Sequence, residues 1–155
     1  MLDIRTILTP ECTRAHVDAQ SRKRVLEIAA EIIAARHEGL SARVLFDELM
    51  SRERLGSTGL GEGVAVPHCR IACPRMLSAF IRLDQPVDYD AIDDRPVDML
   101  FVLVVPTGET AAHLDVLAAL ARLFSEEDNR RRLRAQPTDA ALYAELITML
   151  ESQGD

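Results

Sequence analysis

The chain has 155 residues, 25 acidic and 18 basic, and a formal charge of −7; that length fits one domain burying roughly 70% of its unfolded surface. With 48% hydrophobic residues and only 7 Gly and 7 Pro, the composition excludes collagen-like, mucin-like and long disordered chains. The acidic excess argues against nucleic-acid binding, which needs clustered positive charge.

In chain order, Met1-Leu2-Asp3-Ile4-Arg5 lacks the basic-then-apolar order of a secretory leader, and no apolar run approaches the ~18 residues of a membrane span. After this short N-terminal segment, Ser21 can cap a helix reaching about residue 36. Val25, Ile28, Ala29, Ile32 and Ile33 recur there at helical spacing, and Gly39 ends it. Ser41 offers the cap of a second helix, with Val44, Leu45 and Leu49 inward, Asp47, Glu48, Arg52 and Glu53 on polar faces, and Gly56 as its stop. Residues 56–67 change character: a glycine-dense loop runs into a very short β-like Val64-Ala65-Val66 and then Pro67. Leu77 to Leu83 and Met99 to Val105 are predicted strands. The second is so uniformly apolar that it belongs at the sheet centre, covered on both faces. A helix from about Thr110 to Phe124 follows, with Leu114, Leu117, Ala118 and Ala121 as its stripe. A last helix from about Thr138 to Leu150 carries Leu142, Leu146 and Leu150. Glu126, Glu127 and Asp128 ahead of Arg130, Arg131, Arg132 and Arg134 suit a solvated helix, acids at its start and bases at its end. Helices before, between and after strands give an α/β fold in one domain spanning residues 1–155.

Four of the seven glycines fall in eight residues, Gly56 to Gly63, directly ahead of Pro67-His68. Glycines permit tight turns and close approach of a ligand, yet the same run also reads as a turn-rich hairpin connection. It is not a P-loop, because the Lys-Ser/Thr pair is missing and the glycines lead into a strand. His68, with an ordinary pKa of about 6.5, can present an unprotonated nitrogen as a nucleophile near neutrality. His113 falls in the first turn of its helix, where the positive end of the macrodipole disfavours imidazolium and leaves a neutral ring with one donor. His16 and His37 read as surface residues. A zinc site from His68, Cys69, Cys73 and His113 has no diagnostic spacing, and adjacent residues of an extended segment diverge to opposite faces. Cys12, Cys69 and Cys73, an odd number without zinc-ribbon spacing, suit a reducing compartment. A cytoplasmic protein is expected.

The run from Arg52-Glu53-Arg54-Leu55-Gly56 through Ser57-Thr58-Gly59-Leu60-Gly61-Glu62-Gly63 to Val64-Ala65-Val66-Pro67-His68 resembles the active-site signature of the fructose/mannitol-type enzyme IIA domains of the bacterial phosphoenolpyruvate-dependent phosphotransferase system. Similarity in Glu11-Cys12-Thr13-Arg14, Gln20-Ser21-Arg22-Lys23-Arg24, Tyr89-Asp90-Ala91-Ile92-Asp93, Pro96-Val97-Asp98 and the Arg130 to Ala135 segment points to the nitrogen-regulatory branch and covers nearly the whole chain. The resemblance implies a mixed, mostly parallel central sheet with helices on both faces. It also implies that His68 accepts a phosphoryl group, at Nε2, from a phosphohistidine on an HPr-like (NPr) carrier. His113 and Arg52 fall on the family's second histidine and arginine, beside the phosphorylated ring, and Ser57, Thr58, Gly59, Gly61 and Gly63 form the phosphate-site loop. No metal or cofactor is implied. Phosphorylation state would control regulatory targets such as potassium-transport or sensor-kinase systems.

Neither a IIB nor a membrane IIC domain is present on the chain, which favours regulation. A sugar-specific IIA serving a separate IIB chain, or an interaction module with the same fold and no transfer, are the other readings. One residue departs from the pattern: Cys69 stands where the family commonly has glycine, which bears on backbone freedom and on sensitivity to oxidation.

Overall fold

The computed structural model describes residues 4–109 and 111–153. Two short 3₁₀ turns lead into strand β1 (Thr13–Val17), followed by helices α1 (Arg22–Ala35) and α2 (Ala42–Leu55). Four strands come next, β2 (Gly59–Gly61), β3 (Val64–Ala65), β4 (His68–Ile71) and β5 (Leu77–Val87), then β6 (Val97–Pro106). Helices α3 (Ala112–Phe124), α4 (Glu127–Arg134) and α5 (Asp139–Gln153) complete the order. The six strands form one sheet in the order β1-β5-β6-β3-β2, with β4 also on β6. Pairings β1·β5, β3·β6 and β4·β6 are parallel, while β5·β6 and β2·β3 are antiparallel. The fold is thus α/β around a mixed, mostly parallel sheet.

Why β6 is central follows from its residues. Every side chain from Met99 to Val105 is buried, and since alternate residues of a strand face opposite ways, both faces of the sheet are covered. Helices α1 and α2 pack on each other and against β5 and β4, while α3, α4 and α5 form a second packed group that reaches β1 through α5. The strands β3 and β4 lie end to end along one edge of β6, Val64 opposite Met99 and His68 opposite Leu103. Pro67 interrupts them because it has no N–H to give the ladder; its carbonyl still accepts from Leu103 N at 2.9 Å. The interruption makes His68 the first residue of a new strand.

Both early helices start where serine permits. The Ser21 and Ser41 hydroxyls accept from the backbone N–H of Arg24 and Val44, three residues on. Several expectations are corrected. Helix α1 stops at Ala35, and Gly39, with φ +84°, lies in the turn beyond its end. In α2, Val44 is 53% exposed rather than inward, and Glu53, assigned to a polar face, is buried. The α3 stripe is offset from the predicted one: His113, Val116, Leu120, Leu123 and Phe124 are buried, whereas Leu114 is 56% exposed and Ala118 and Ala121 face solvent. Counting only aliphatic residues hid His113, which is part of the buried face. Strand β5 runs four residues past Leu83, and β1, unassigned in the sequence, pairs with it. The expected start of α3 at Thr110 lies outside the described residues, as do Met1–Asp3, Gly154 and Asp155. The acid-then-base segment does form a helix, α4, but Arg130 and Leu133 on it are buried.

Candidate functional site

The glycine run is a β-hairpin, β2 to β3. Glu62 and Gly63 have φ of +57° and +84°, the positive values that a two-residue type I′ connection needs at both central positions. At Gly63 the backbone also makes a close approach: a Cβ there would sit 2.4 Å from Arg134 Nη2. Arg134 grips Asp98 through two nitrogens and donates to the Glu62 carbonyl at 2.8 Å. Gly59 packs so tightly that a Cβ would stand 2.8 Å from the Ala91 Cβ.

Beneath the hairpin lies a buried polar cluster centred on Glu53. Its carboxylate accepts from the Thr58 hydroxyl, from Thr58 N at 3.3 Å and from the Tyr89 hydroxyl at 2.9 Å. Arg22 supplies the cation, 3.6 Å from Glu53 Oε2, with its guanidinium 5.6 Å from the centre of the Tyr89 ring. Burial first, then the Glu53 carboxylate, pushes the Tyr89 phenol up, so it stays a donor. Ser57 Oγ donates to the Tyr89 carbonyl and accepts from Gly59 N. The Ser57 and Thr58 hydroxyls therefore turn inward and fix the loop to α2 and the β5–β6 connection.

His68 is half-buried at the head of β4. Its Nδ1 is 2.9 Å from the Val66 carbonyl oxygen. A carbonyl can only accept, so Nδ1 carries the proton and Nε2 keeps a free lone pair. His113, in the first turn of α3, is buried, and Arg70 Nη2 lies 3.2 Å from its Nε2. Burial holds the His113 pKa below its ordinary value, with Arg70 adding to the effect, Glu109 opposing it, and the nearby His68 lowering it further. Burial and the guanidinium, and not the helix macrodipole, are the causes that favour the neutral ring here. Arg52, in the last turn of α2, donates to the Gly56 carbonyl at 2.8 Å at the start of the loop; among the described residues no hydrogen bond joins it to either histidine.

Cys69 points away from His68 into the core, and burial raises its thiol to about 12. Such a thiol is almost wholly protonated near neutrality and a poor nucleophile. Its φ is not positive, so the position does not demand glycine. His68 and Cys69 thus fall on opposite faces of β4, and among the described residues no cluster of three His, Cys, Asp or Glu could hold a metal. The Arg130 to Arg134 cluster is engaged internally: Arg130 donates to the Phe124 carbonyl, Arg132 pairs with Glu145 and Arg134 with Asp98. His16 is exposed between Asp84 and the Pro137 carbonyl. No described helix is long and apolar enough to cross a membrane.

Sequence reasoning missed Arg70 and Glu53. Arg70 is two residues beyond His68 in an extended segment, hence on the same face, and that spacing was available. Glu53 continues the Leu45, Leu49 series at steps of four, a helical signal masked by its charge.

A family model described as "Phosphoenolpyruvate-dependent sugar phosphotransferase system, EIIA 2" matches residues 6–148. The chain is 44% identical to a nitrogen regulatory protein of Pseudomonas aeruginosa over 154 residues, covering 99% of this chain and 100% of that one. It is 41% identical to a nitrogen regulatory protein of Escherichia coli over 156 residues, covering 99% and 94%. The crystal structure of nitrogen regulatory protein IIA-Ntr from Neisseria meningitidis superposes with a TM-score of 0.87 at 38% identity, over 95% of this chain and 98% of that one. With the hairpin, the half-buried His68 and its free nitrogen in place, the chain belongs to the EIIA 2 family of the phosphoenolpyruvate-dependent sugar phosphotransferase system.

Proposed function

We propose that the protein is a phosphoryl carrier whose acceptor atom is His68 Nε2, loaded by an HPr-like phosphohistidine protein and acting as a regulator through its phosphorylation state. The observation that carries this reading is the Val66 carbonyl on His68 Nδ1, which fixes the tautomer a nucleophilic Nε2 requires. In the step, the Nε2 lone pair forms a bond to phosphorus as the P–N bond of the donor breaks, and the donor ring leaves as a neutral imidazole when its other nitrogen holds a proton. His68 retains its Nδ1 proton, and the ring, now bonded at both nitrogens, gains positive character that the Val66 carbonyl stabilises.

The remaining roles follow from what each group has to offer. His113 presents a neutral ring with one N–H, and Arg52, with five donors and one on Gly56, has others for phosphoryl oxygens. The loop Ser57, Thr58, Gly59, Gly61 and Gly63 supplies a rigid wall, its shape fixed by the Ser57 and Thr58 hydroxyls. A half-buried acceptor on a sheet edge suits a protein donor, since another histidine must come in line with Nε2. Support for a regulatory output comes from the names of the relatives at 41–44% identity.

Incubation of the full chain with phosphoenolpyruvate, enzyme I and an HPr-type carrier is expected to add the mass of one phosphoryl group, lost in mild acid, on wild type and not on His68→Ala. Equal gain on His68→Ala would move the acceptor elsewhere. No gain on wild type with several active carriers would leave a binding module with this fold.

A further inference from the structure

Strand β4 carries a second charged residue beside the acceptor. His68 and Arg70 share the outward face of β4, while Cys69 and Ile71 point into the core. From that face the Arg70 guanidinium spans to the start of α3 and meets two acceptors there. Nη1 donates to the Glu109 carbonyl at 2.6 Å, and Nη2 lies 3.2 Å from His113 Nε2. Glu109 is itself fixed, because its carboxylate accepts from the N–H of Ala111 and Ala112, two of the free donors at the head of α3. Arg70 therefore holds His113 against a rigid frame.

The chemistry of the contact decides the proton's place. A guanidinium only donates, so His113 Nε2 must accept and the single ring proton sits on Nδ1. That Nδ1 is buried and has no hydrogen-bond partner among the described residues. Buried donors are rarely left unpaired, and His68 is near enough to this ring to bear on its ionisation. The charged and titratable groups facing His113 are Arg70 and His68 from β4 and Glu109 from the segment before α3.

We infer that Arg70 is a positioning residue for phosphoryl transfer: it locks His113 as the Nδ1–H tautomer, and that N–H, without a partner among the described residues, is the donor that an oxygen of the phosphoryl group on His68 completes. The inference rests on the phosphoryl-carrier reading above. A hydrogen-bonded tie without this role would hold β4 to the start of α3 and nothing more, so the two differ in what happens to the imidazole. Arg70 also blocks the second protonation of His113, since a proton on Nε2 would oppose the guanidinium already there.

Long-range ¹H–¹⁵N spectra of the full unphosphorylated chain, with both rings assigned through His68→Gln and His113→Gln, read the tautomer directly. In wild type, His113 is expected as Nδ1–H at neutral pH. In Arg70→Ala it becomes a tautomer mixture that protonates at higher pH, and Arg70→Lys, which keeps a donor and a charge, restores much of the wild-type pattern. Initial rates of phosphoryl gain from a phosphorylated HPr-type carrier should fall about tenfold in Arg70→Ala, with His68 still phosphorylated at completion and partial recovery in Arg70→Lys. Unchanged tautomer and pH titration in a folded Arg70→Ala or Arg70→Lys overturns the positioning role, even if melting temperature drops. An altered tautomer with an unaltered rate overturns its link to transfer. The spectra are independent of phosphorylation, so wild type that takes no phosphoryl group defeats the carrier reading, and with it the transfer half of the inference, whatever the tautomer shows.

Discussion

Glu53 shows how one residue supports a site it does not touch. Its carboxylate satisfies a backbone N–H and two hydroxyls around the glycine hairpin, with Arg22 as counter-charge. Removing one partner of such a cluster leaves the others buried and unpaired, which costs more than the hydrogen bonds themselves contribute. Glu53→Ala is therefore expected to lose about 2–4 kcal/mol in urea unfolding, and Glu53→Gln, which keeps an acceptor oxygen, about 1–2 kcal/mol. Equal stability of Glu53→Ala and wild type would show that the cluster holds nothing. The same residue marks a limit of sequence reading. Its spacing of four from Leu49 fits the buried stripe, yet the sequence reading puts it on a polar face, because a lone carboxylate reads as solvent-facing unless its partners Thr58, Tyr89 and Arg22, up to 36 positions away, are known to converge. His68 could be singled out as a candidate because Pro67 and the glycines are local.

At the scale of elements, the hairpin β2–β3 combines a demanded backbone with a demanded gap. Gly39 and Gly63 share φ +84°, yet nothing lies within 4 Å of a Cβ at Gly39, whereas one at Gly63 meets Arg134 Nη2. Gly39→Ala thus isolates the conformational penalty, about 1–2 kcal/mol. Gly63→Ala adds displacement of Arg134 from Glu62 and Asp98. A flexible guanidinium can move, so the extra loss is that of a partly exposed ion pair and one hydrogen bond, about 1 kcal/mol. Urea midpoints of the two variants test this: a Gly63→Ala no less stable than Gly39→Ala means that Arg134 does not brace the hairpin. The glycine run announced a turn, but its bracing by α4 involves residues 72 positions apart and was invisible locally. Helix α3 failed for a different reason. Aliphatic residues sit on both of its faces, and which one is buried depends on packing against α4 and α5, which the local sequence does not show. Strand β1 alternates buried and open side chains as a strand should, with Arg14 and His16 at the open positions, but five residues with Thr13 and Ala15 on the buried side are a short, weakly apolar signal.

Across the whole molecule, proton linkage distinguishes buried from surface charge. His113 and His37 have pKa values below the ordinary imidazole, chiefly through burial, while the exposed His16 is raised by the Pro137 carbonyl and then Asp84. A histidine depressed in the folded state is neutral in both states well above about pH 6.5 and has no effect there. As pH falls through that value the unfolded chain binds the proton first, so stability is lost between about pH 6.5 and the lower folded pKa. His16 acts oppositely: its contribution is complete below the unfolded pKa and fades as pH rises through the raised one, and full exposure keeps it small. The lowered carboxylates Glu11 and Asp93 titrate well below this window. A third effect runs against the first, because the net charge of −7 shrinks as histidines protonate and relieves mutual repulsion. Salt separates them: exposed charges are screened beyond about 8 Å at physiological ionic strength, a buried imidazole much less. Urea unfolding from pH 7 to 5.5, at low and at high salt, is therefore expected to show stability falling with pH in wild type, and a shallower slope in His113→Gln that persists at high salt. Parallel slopes for the two proteins would mean that His113 titrates alike folded and unfolded, and the enclosed, guanidinium-flanked ring would not exist in solution.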